Sequence, residues 1–290
     1  LGLACLAYHD TNGGLPAAVL LTPSITNSGD HDQNFGPNWA MLILPQLDET
    51  ATYDLYADSI QSYPQTGDTA WRAIRSTSIP VMRCPSDSFN GTACTAAGGN
   101  WARGNFGANA GAGMFYAQAL GDEGLQRVSG AWSEKKTNLY NGYYGYVFQT
   151  SPAGVMSANS RTNMAAIVDG PASTLMIDEL RAGTTASDVR GTWAMGQVGA
   201  SIIAGAGRLD TPGPNISLSG YDDIKGCTND VARGMGCLAD FSYQVTPKSM
   251  HPGGVNTCYA DGSVRFLDNE VSQGVYQLLH SREDRRIVAQ

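Results

Sequence analysis

The sequence predicts an α+β fold built on an antiparallel sheet, and three observations carry that expectation. The chain opens on an apolar helical run, Leu1 to Tyr8, which Asn12-Gly13-Gly14 and Pro16 bring to a stop. Near its other end two strand-like runs, Val255–Tyr259 and Ser263–Leu267, meet at Asp261-Gly262. That dipeptide favours a tight turn of primed type, whose twist matches paired strands. Between these ends, strand-like segments alternate with Gly-, Asp- and Pro-rich stretches rather than with regularly spaced helices, so a βαβ pattern is not expected.

The intervening elements follow in order. Residues 22–37 are rich in Pro, Ser, Asn and Asp and read as a loop. Trp39–Pro45 is an apolar run leading into a helix that continues to about Ser62, kinked or restarted at Pro45. Ile79–Pro85 is expected to be extended, because prolines at 80 and 85 disfavour a helix. Gly98–Gly113 is dense in Gly, Ala and Asn, yet Trp101 and Phe106 within it predict an ordered, packed loop or an edge strand. Tyr140–Phe148 is aromatic-rich and strand-like, and Ser173–Glu179 reads as a strand after the turn Asp169-Gly170-Pro171. Residues 204–240 form a long irregular excursion, and a last helix is expected from Asn269 to Ser281. No repeat and no break in composition divides the chain, so residues 13–290 read as one globular body behind a helix end at 1–12.

Composition narrows the function classes. Charged residues make up 15% of the 290, against about 25% in an average soluble domain, and 35 glycines help to fill the deficit. Surfaces built from small neutral polar groups fit an extracytoplasmic protein. The net charge of −8 repels phosphate backbones. The basic runs, Lys135-Lys136 and Arg282 with Arg285-Arg286, are short and mixed with acids, so no nucleic-acid partner is expected.

Six cysteines stand at 5, 84, 94, 227, 237 and 258, with no C-x-x-C pair and no zinc-finger spacing, which argues against a structural zinc site. Cys84 with Cys94 and Cys227 with Cys237 are each ten apart in loop-like surroundings, so two local disulfides are predicted, each stabilising by about 2–3 kcal/mol. Cys5 and Cys258 either pair across the fold or stay as buried thiols. Such bonds place the chain in an oxidising compartment.

Motifs for catalysis are missing. There is no G-x-S-x-G elbow, H-E-x-x-H, Walker loop or dinucleotide fingerprint, and nothing selects a triad around the four histidines, so no enzymatic role is expected. Asp30-His31-Asp32 lacks the spacing that converges three metal ligands and reads as a solvated loop. Asp222 and Asp223, with Asn229 and Asp230, offer oxygen ligands that Ca²⁺ tolerates in irregular loops, although no EF-hand spacing is present. Asn90-Gly91-Thr92 and Asn215-Ile216-Ser217 match the glycosylation triplet and mark surface loops. His251 precedes Asp261 by a nine-residue interval. The two fall at opposite ends of the hairpin, and His251 reads as a side chain hydrogen-bonded to backbone at the hairpin's base rather than as half of a catalytic pair.

The stretch from His251 to Asp261-Gly262 resembles the C-terminal signature of a planctomycete family of prepilin-like proteins, relatives of type IV pilins and type II secretion pseudopilins. Leu1–Gly13 resembles the end of that family's N-terminal helix, Trp39–Leu47 its next motif, Arg83-Cys84-Pro85-Ser86-Asp87 its Cys-Pro-Ser-Asp motif, and Asp169–Glu179 its Asp-Gly turn and strand. The likeness spans almost the whole chain in family order. It implies a pilin-like fold, an N-terminal helix on an antiparallel sheet with long loop insertions. It also implies a filament or pseudopilus subunit at the cell surface or in the periplasm. Such a subunit self-associates, uses secretion or pilus assembly machinery, and starts as a precursor anchored in the inner membrane by the apolar first half of that helix. The cleavage site and that apolar half are not in this sequence, and the 204–240 excursion departs from the family pattern. The resemblance brings no catalytic residues. The alternative is an extracytoplasmic carbohydrate- or solute-binding module using exposed aromatics such as Trp101, Trp132, Tyr143 and Tyr144.

Overall fold

The computed structural model describes residues 1–22, 35–111, 154–205, 211–239, 244–283 and 285. The predicted strand at 140–148, the Asp30-His31-Asp32 loop, Lys135-Lys136 and the aromatics Trp132, Tyr143 and Tyr144 lie outside them.

Helix α1 (Gly2–Asn12) ends where the glycine signal placed its end, with Gly13 left-handed at φ 73 and its N–H returning to the His9 carbonyl. Only Leu3 and other outward residues of this helix see solvent, while Gly2, Ala4 and Cys5 are buried. The helix expected to run from Gln46 to about Ser62 is present in pieces, broken at Pro45 and again between Asp54 and Ala57. Helix α2 (Trp39–Leu42), capped by the Asn38 side chain, gives way to a 3-10 turn over Leu44–Leu47, then to α3 (Thr50–Asp54) and α4 (Ala57–Thr66). Pro45 removes a helical donor and Asp48 adopts φ 62, so the chain turns rather than continues. Pro80–Met82, expected to be extended, makes a 3-10 turn, because a proline at the first position of a turn forfeits no bond.

Among the described residues five strands form one sheet in the order β3-β1-β2-β4-β5: β1 (Phe106–Asn109), β2 (Leu175–Glu179), β3 (Ile202–Ile203), β4 (Gly254–Tyr259) and β5 (Val264–Asp268). The sheet is mixed rather than antiparallel, since β1 pairs β3 in parallel while the other pairs run antiparallel. The glycine-rich stretch is an interior part of the fold: Trp101 is fully buried and β1 has neighbours on both sides. The predicted hairpin is present, with Gly262 at φ 85 in its turn. Helix α5 (Gln273–Leu279), shorter than expected, follows it.

The two faces of the sheet carry separate cores. The larger one gathers Trp39, Trp71, Trp101, Trp193 and the inner side of α1, with Phe35, Trp71 and Trp101 in edge-to-face contact at 5.5–6.4 Å. The smaller one lies under α5 and contains Leu175, Val255, Tyr259, Leu267, Tyr276 and Leu279. A bulge between Leu175 and Ile177 brings both Leu175 and Asp178 to the α5 side, opposite Tyr259 and Thr257. Asp178 there meets His280, whose Nε2 lies 2.8 Å from the carboxylate and whose Nδ1 lies 2.8 Å from the Tyr276 carbonyl. On the other face Ile177, Cys258 and Val264 align across the strands, as do Asn256 and Phe266. Glycine at position 2 lets α1 lie against this face, because a Cβ there would stand 2.4 Å from the Cys258 sulfur. Among the described residues no helix is long and apolar enough to cross a membrane.

Candidate functional site

Three segments far apart in sequence converge where β2 ends and the hairpin begins. The first is the turn at Cys84-Pro85-Ser86-Asp87, closed by the Asp87 N–H on the Cys84 carbonyl at 3.1 Å. Buried Asp87 fixes this turn to the sheet: its Oδ2 accepts from Asn105 Nδ2 at 2.7 Å and from the Ala182 N–H at 2.8 Å, just past β2. Asn105 completes the brace, accepting the Cys84 N–H at 2.9 Å and donating to the Leu180 carbonyl. The second segment is the end of β2, which presents Glu179. The third is the turn Ser249–Gly254, where the Ser249 hydroxyl accepts the His251 N–H at 3.0 Å and donates to the Gly254 carbonyl at 2.7 Å.

At their meeting point His251 Nε2 lies 3.2 Å from Glu179 Oε1 and 3.6 Å from the Cys84 sulfur. The sulfur, imidazole nitrogen and carboxylate oxygen lie within 4.8 Å of one another. Glu179 Oε2 faces away from them and accepts the Asn256 N–H at 2.7 Å and its side-chain amide at 3.2 Å. Cys84 and Glu179 are buried, whereas the His251 side chain is 30% exposed and forms the open side of the cluster. A Cys–His relay would use one ring nitrogen for sulfur and the other for the carboxylate that orients the ring. Here both contacts fall on Nε2, so the three groups converge on one point instead of passing a proton along a line.

The sequence-predicted residues are distributed differently from expectation. His251 is not held by its side chain to backbone at the hairpin's base but meets Glu179 and Cys84. Cys84 and Cys94 are both reduced and buried rather than joined. Cys94 is locked by a two-way backbone pairing with Trp101, while the Asp87–Asn105 brace turns Cys84 toward β2. Cys227 and Cys237 are bonded, and Cys5 and Cys258 remain buried thiols. Asp261 and Gly262 lie at the far turn of the hairpin, where Asp261 Oδ1 accepts the Ser263 N–H at 2.8 Å. Burial opposes ionisation of Asp261, but the hydrogen bonds from Ser263 outweigh it and hold the carboxyl below its ordinary value.

Of the acids proposed for calcium, Asp222 and Asp230 already have cationic partners. Asp222 is buried between Lys248 Nζ at 2.7 Å and Arg190 Nη1 at 3.1 Å, and Asp230 pairs with Arg233 at 2.7 Å. Asp223 is buried beside Asp222 in the chain, with its backbone paired to Gln244. Asn90, read as a surface marker, is buried and donates to the Cys84 carbonyl and to Asn105. Trp101, named among the exposed aromatics of a binding module, lies in the core.

A second feature faces solvent. Among the described residues β5 is the last strand of the sheet, and two of its side chains, Val264 and Phe266, are 67% and 51% exposed. Beside them α1 exposes 77% of Leu3, close to the hairpin turn at Gly262. A family model, SBP_bac_10, described as a protein of unknown function (DUF1559), matches residues 1–274. No curated protein and no solved structure matches the chain.

Proposed function

The chain belongs to this family of unknown function, and from that premise we propose that it is a pilin-like structural subunit, extracytoplasmic and non-enzymatic, that assembles with copies of itself. The observation that supports this reading is the apolar strip of Leu3, Val264 and Phe266 along α1 and the edge strand β5. An edge strand with outward apolar side chains is a pairing surface that monomeric proteins ordinarily blunt with charge. The second copy is the occupant we commit to, because Leu3 of α1 lies at the hairpin turn that leads into β5, so helix and edge strand offer adjoining apolar side chains, and only 15% of the residues are charged. Such an assembly is the filament or pseudopilus expected of a pilin relative, whose subunits pack through the N-terminal helix.

The test is microscopy and sedimentation of the mature full-length protein beside a Val264→Lys, Phe266→Lys variant. The wild type should form filaments or concentration-dependent oligomers, and the variant should remain monomeric with an unchanged circular dichroism spectrum. Monodisperse monomers from the wild type at every concentration overturn the reading.

A further inference from the structure

We propose that Cys84, Glu179 and His251 bind one divalent transition-metal ion, zinc foremost, as three protein ligands with a fourth position open on the solvent side of His251. The spacing of the donor atoms carries the argument. Zinc sits at about 2.3 Å from sulfur, 2.0–2.1 Å from imidazole nitrogen and 2.0–2.2 Å from carboxylate oxygen. In a tetrahedral shell those bonds place sulfur about 3.5 Å from nitrogen and nitrogen about 3.3 Å from oxygen. The distances here are 3.6 Å and 3.2 Å. Two edges of the coordination tetrahedron are therefore present, and the third, between sulfur and carboxylate oxygen, lies within the 4.8 Å envelope of the three atoms.

Ligand chemistry selects among ions. A thiolate disfavours calcium and magnesium, which take hard oxygen donors, and a mixed sulfur, nitrogen and oxygen set suits zinc or cobalt. Charge points the same way: a dication with one thiolate, one carboxylate and a neutral imidazole is neutral, which a buried site accommodates far better than two anions. The ligands are also held from behind, as metal ligands are. Asn256 takes the outer carboxylate oxygen and leaves Oε1 free to point inward, while the Asp87–Asn105 brace fixes the Cys84 backbone. Because the ligands come from positions 84, 179 and 251, the ion would tie the Cys84 turn and the start of the hairpin to the end of β2. Local cysteine and histidine spacing, which argued against a zinc site, cannot register ligands brought together by the sheet.

The experiment is titration of the metal-free chain with Zn²⁺ and with Co²⁺, under dilution that keeps it monomeric, so that the result is independent of the assembly reading. One equivalent of Zn²⁺ should bind and raise the melting temperature. Co²⁺ should give the intense visible bands of a tetrahedral site together with a thiolate-to-cobalt charge-transfer band. Cys84→Ser should abolish the charge-transfer band, and Glu179→Gln and His251→Ala should each weaken Zn²⁺ binding at least tenfold. Asp261→Asn, at the far turn, should leave it unchanged. Absence of stoichiometric binding by the wild type, or a charge-transfer band that persists in Cys84→Ser, overturns the proposal. If Cys84→Ser does not fold, the wild-type cobalt spectrum still decides, since a site lacking the thiolate shows no such band.

Discussion

At the scale of single residues, Asp222 shows how charge is kept inside this protein. Its Oδ1 accepts from Lys248 Nζ and from the backbone and hydroxyl of Thr246, and its Oδ2 accepts from Arg190. Arg190 in turn pairs with Asp188 at 2.7 Å, and all four charged side chains are buried. Burial pulls the Lys248 ammonium below its ordinary value, and the Asp222 carboxylate offsets part of that pull. Removing one partner of a buried pair strands the other, at a cost of about 3–5 kcal/mol. Asp222→Asn should therefore lower the urea midpoint sharply with little change in the slope of the transition. Asp230→Asn, at a pair whose Arg233 is exposed, should barely move the midpoint. Equal effects of the two substitutions in the same denaturation experiment would contradict this account. The sequence suggested calcium because Asp222 and Asp223 adjoin in a polar, glycine-rich stretch. Arg190 and Lys248 stand 32 and 26 positions away from Asp222, and only the fold reveals them as its counter-ions. The cluster at Cys84 has the same lesson: a nearby Cys94 made a local disulfide the simplest reading, while the actual neighbours lie 95 (179 − 84) and 167 positions further on.

At the scale of elements, α1, β2 and the hairpin were legible because each carries its own local signals: an apolar run ended by glycine, a compact apolar strand, a turn dipeptide between alternating runs. Of β1 only the order of its stretch was legible, not its interior place in the sheet, and β3 was not legible at all: they are four and two residues long and defined by what they pair with. The seam between α1 and β4 joins two of the legible elements, and it is lined by thiols. Burial raises the Cys5 thiol well beyond its ordinary range and pushes Cys258 up from 9.0 to about 11. A group whose folded value is raised gives stability that is complete below the unfolded value and is lost as pH climbs through the folded one. Stability should thus hold up to about pH 9 and fall between pH 9 and 11, by about 2 kcal/mol at most from Cys258. Denaturation midpoints across that range check the sign, and a Cys258→Ala variant should fall less steeply than the wild type. In native protein at neutral pH both thiols should resist alkylation and react only on unfolding.

At the scale of the whole molecule, the question is whether the 204–240 excursion folds with the sheet or apart from it. Its own glycine and aspartate content reads as loop, and the Cys227/Cys237 pair is the local signal of order in it. The contacts that join it to the rest of the fold are long-range. Arg190 of the main body reaches Asp222, and Lys248 reaches back to the same carboxylate. Asn215 donates to the Gly254 carbonyl at the head of β4 and to Asn269 beyond β5. Cys227–Cys237 then closes a short loop whose Met235 carbonyl accepts from Arg190. An excursion tied at these points shares its unfolding with the core, because opening it exposes the buried ion pairs beneath. Replacing both cysteines with serine removes a ten-residue closure, which should cost about 2–3 kcal/mol. The loss should appear as a single transition shifted to lower urea, read equally by far-ultraviolet dichroism and by fluorescence of the core tryptophans Trp39, Trp71, Trp101 and Trp193. Two separated transitions, with tryptophan fluorescence unmoved in the first, would instead make the excursion an independent unit. In that case the buried carboxylate network would be stabilising the loop alone, and Asp222→Asn would move only the first transition.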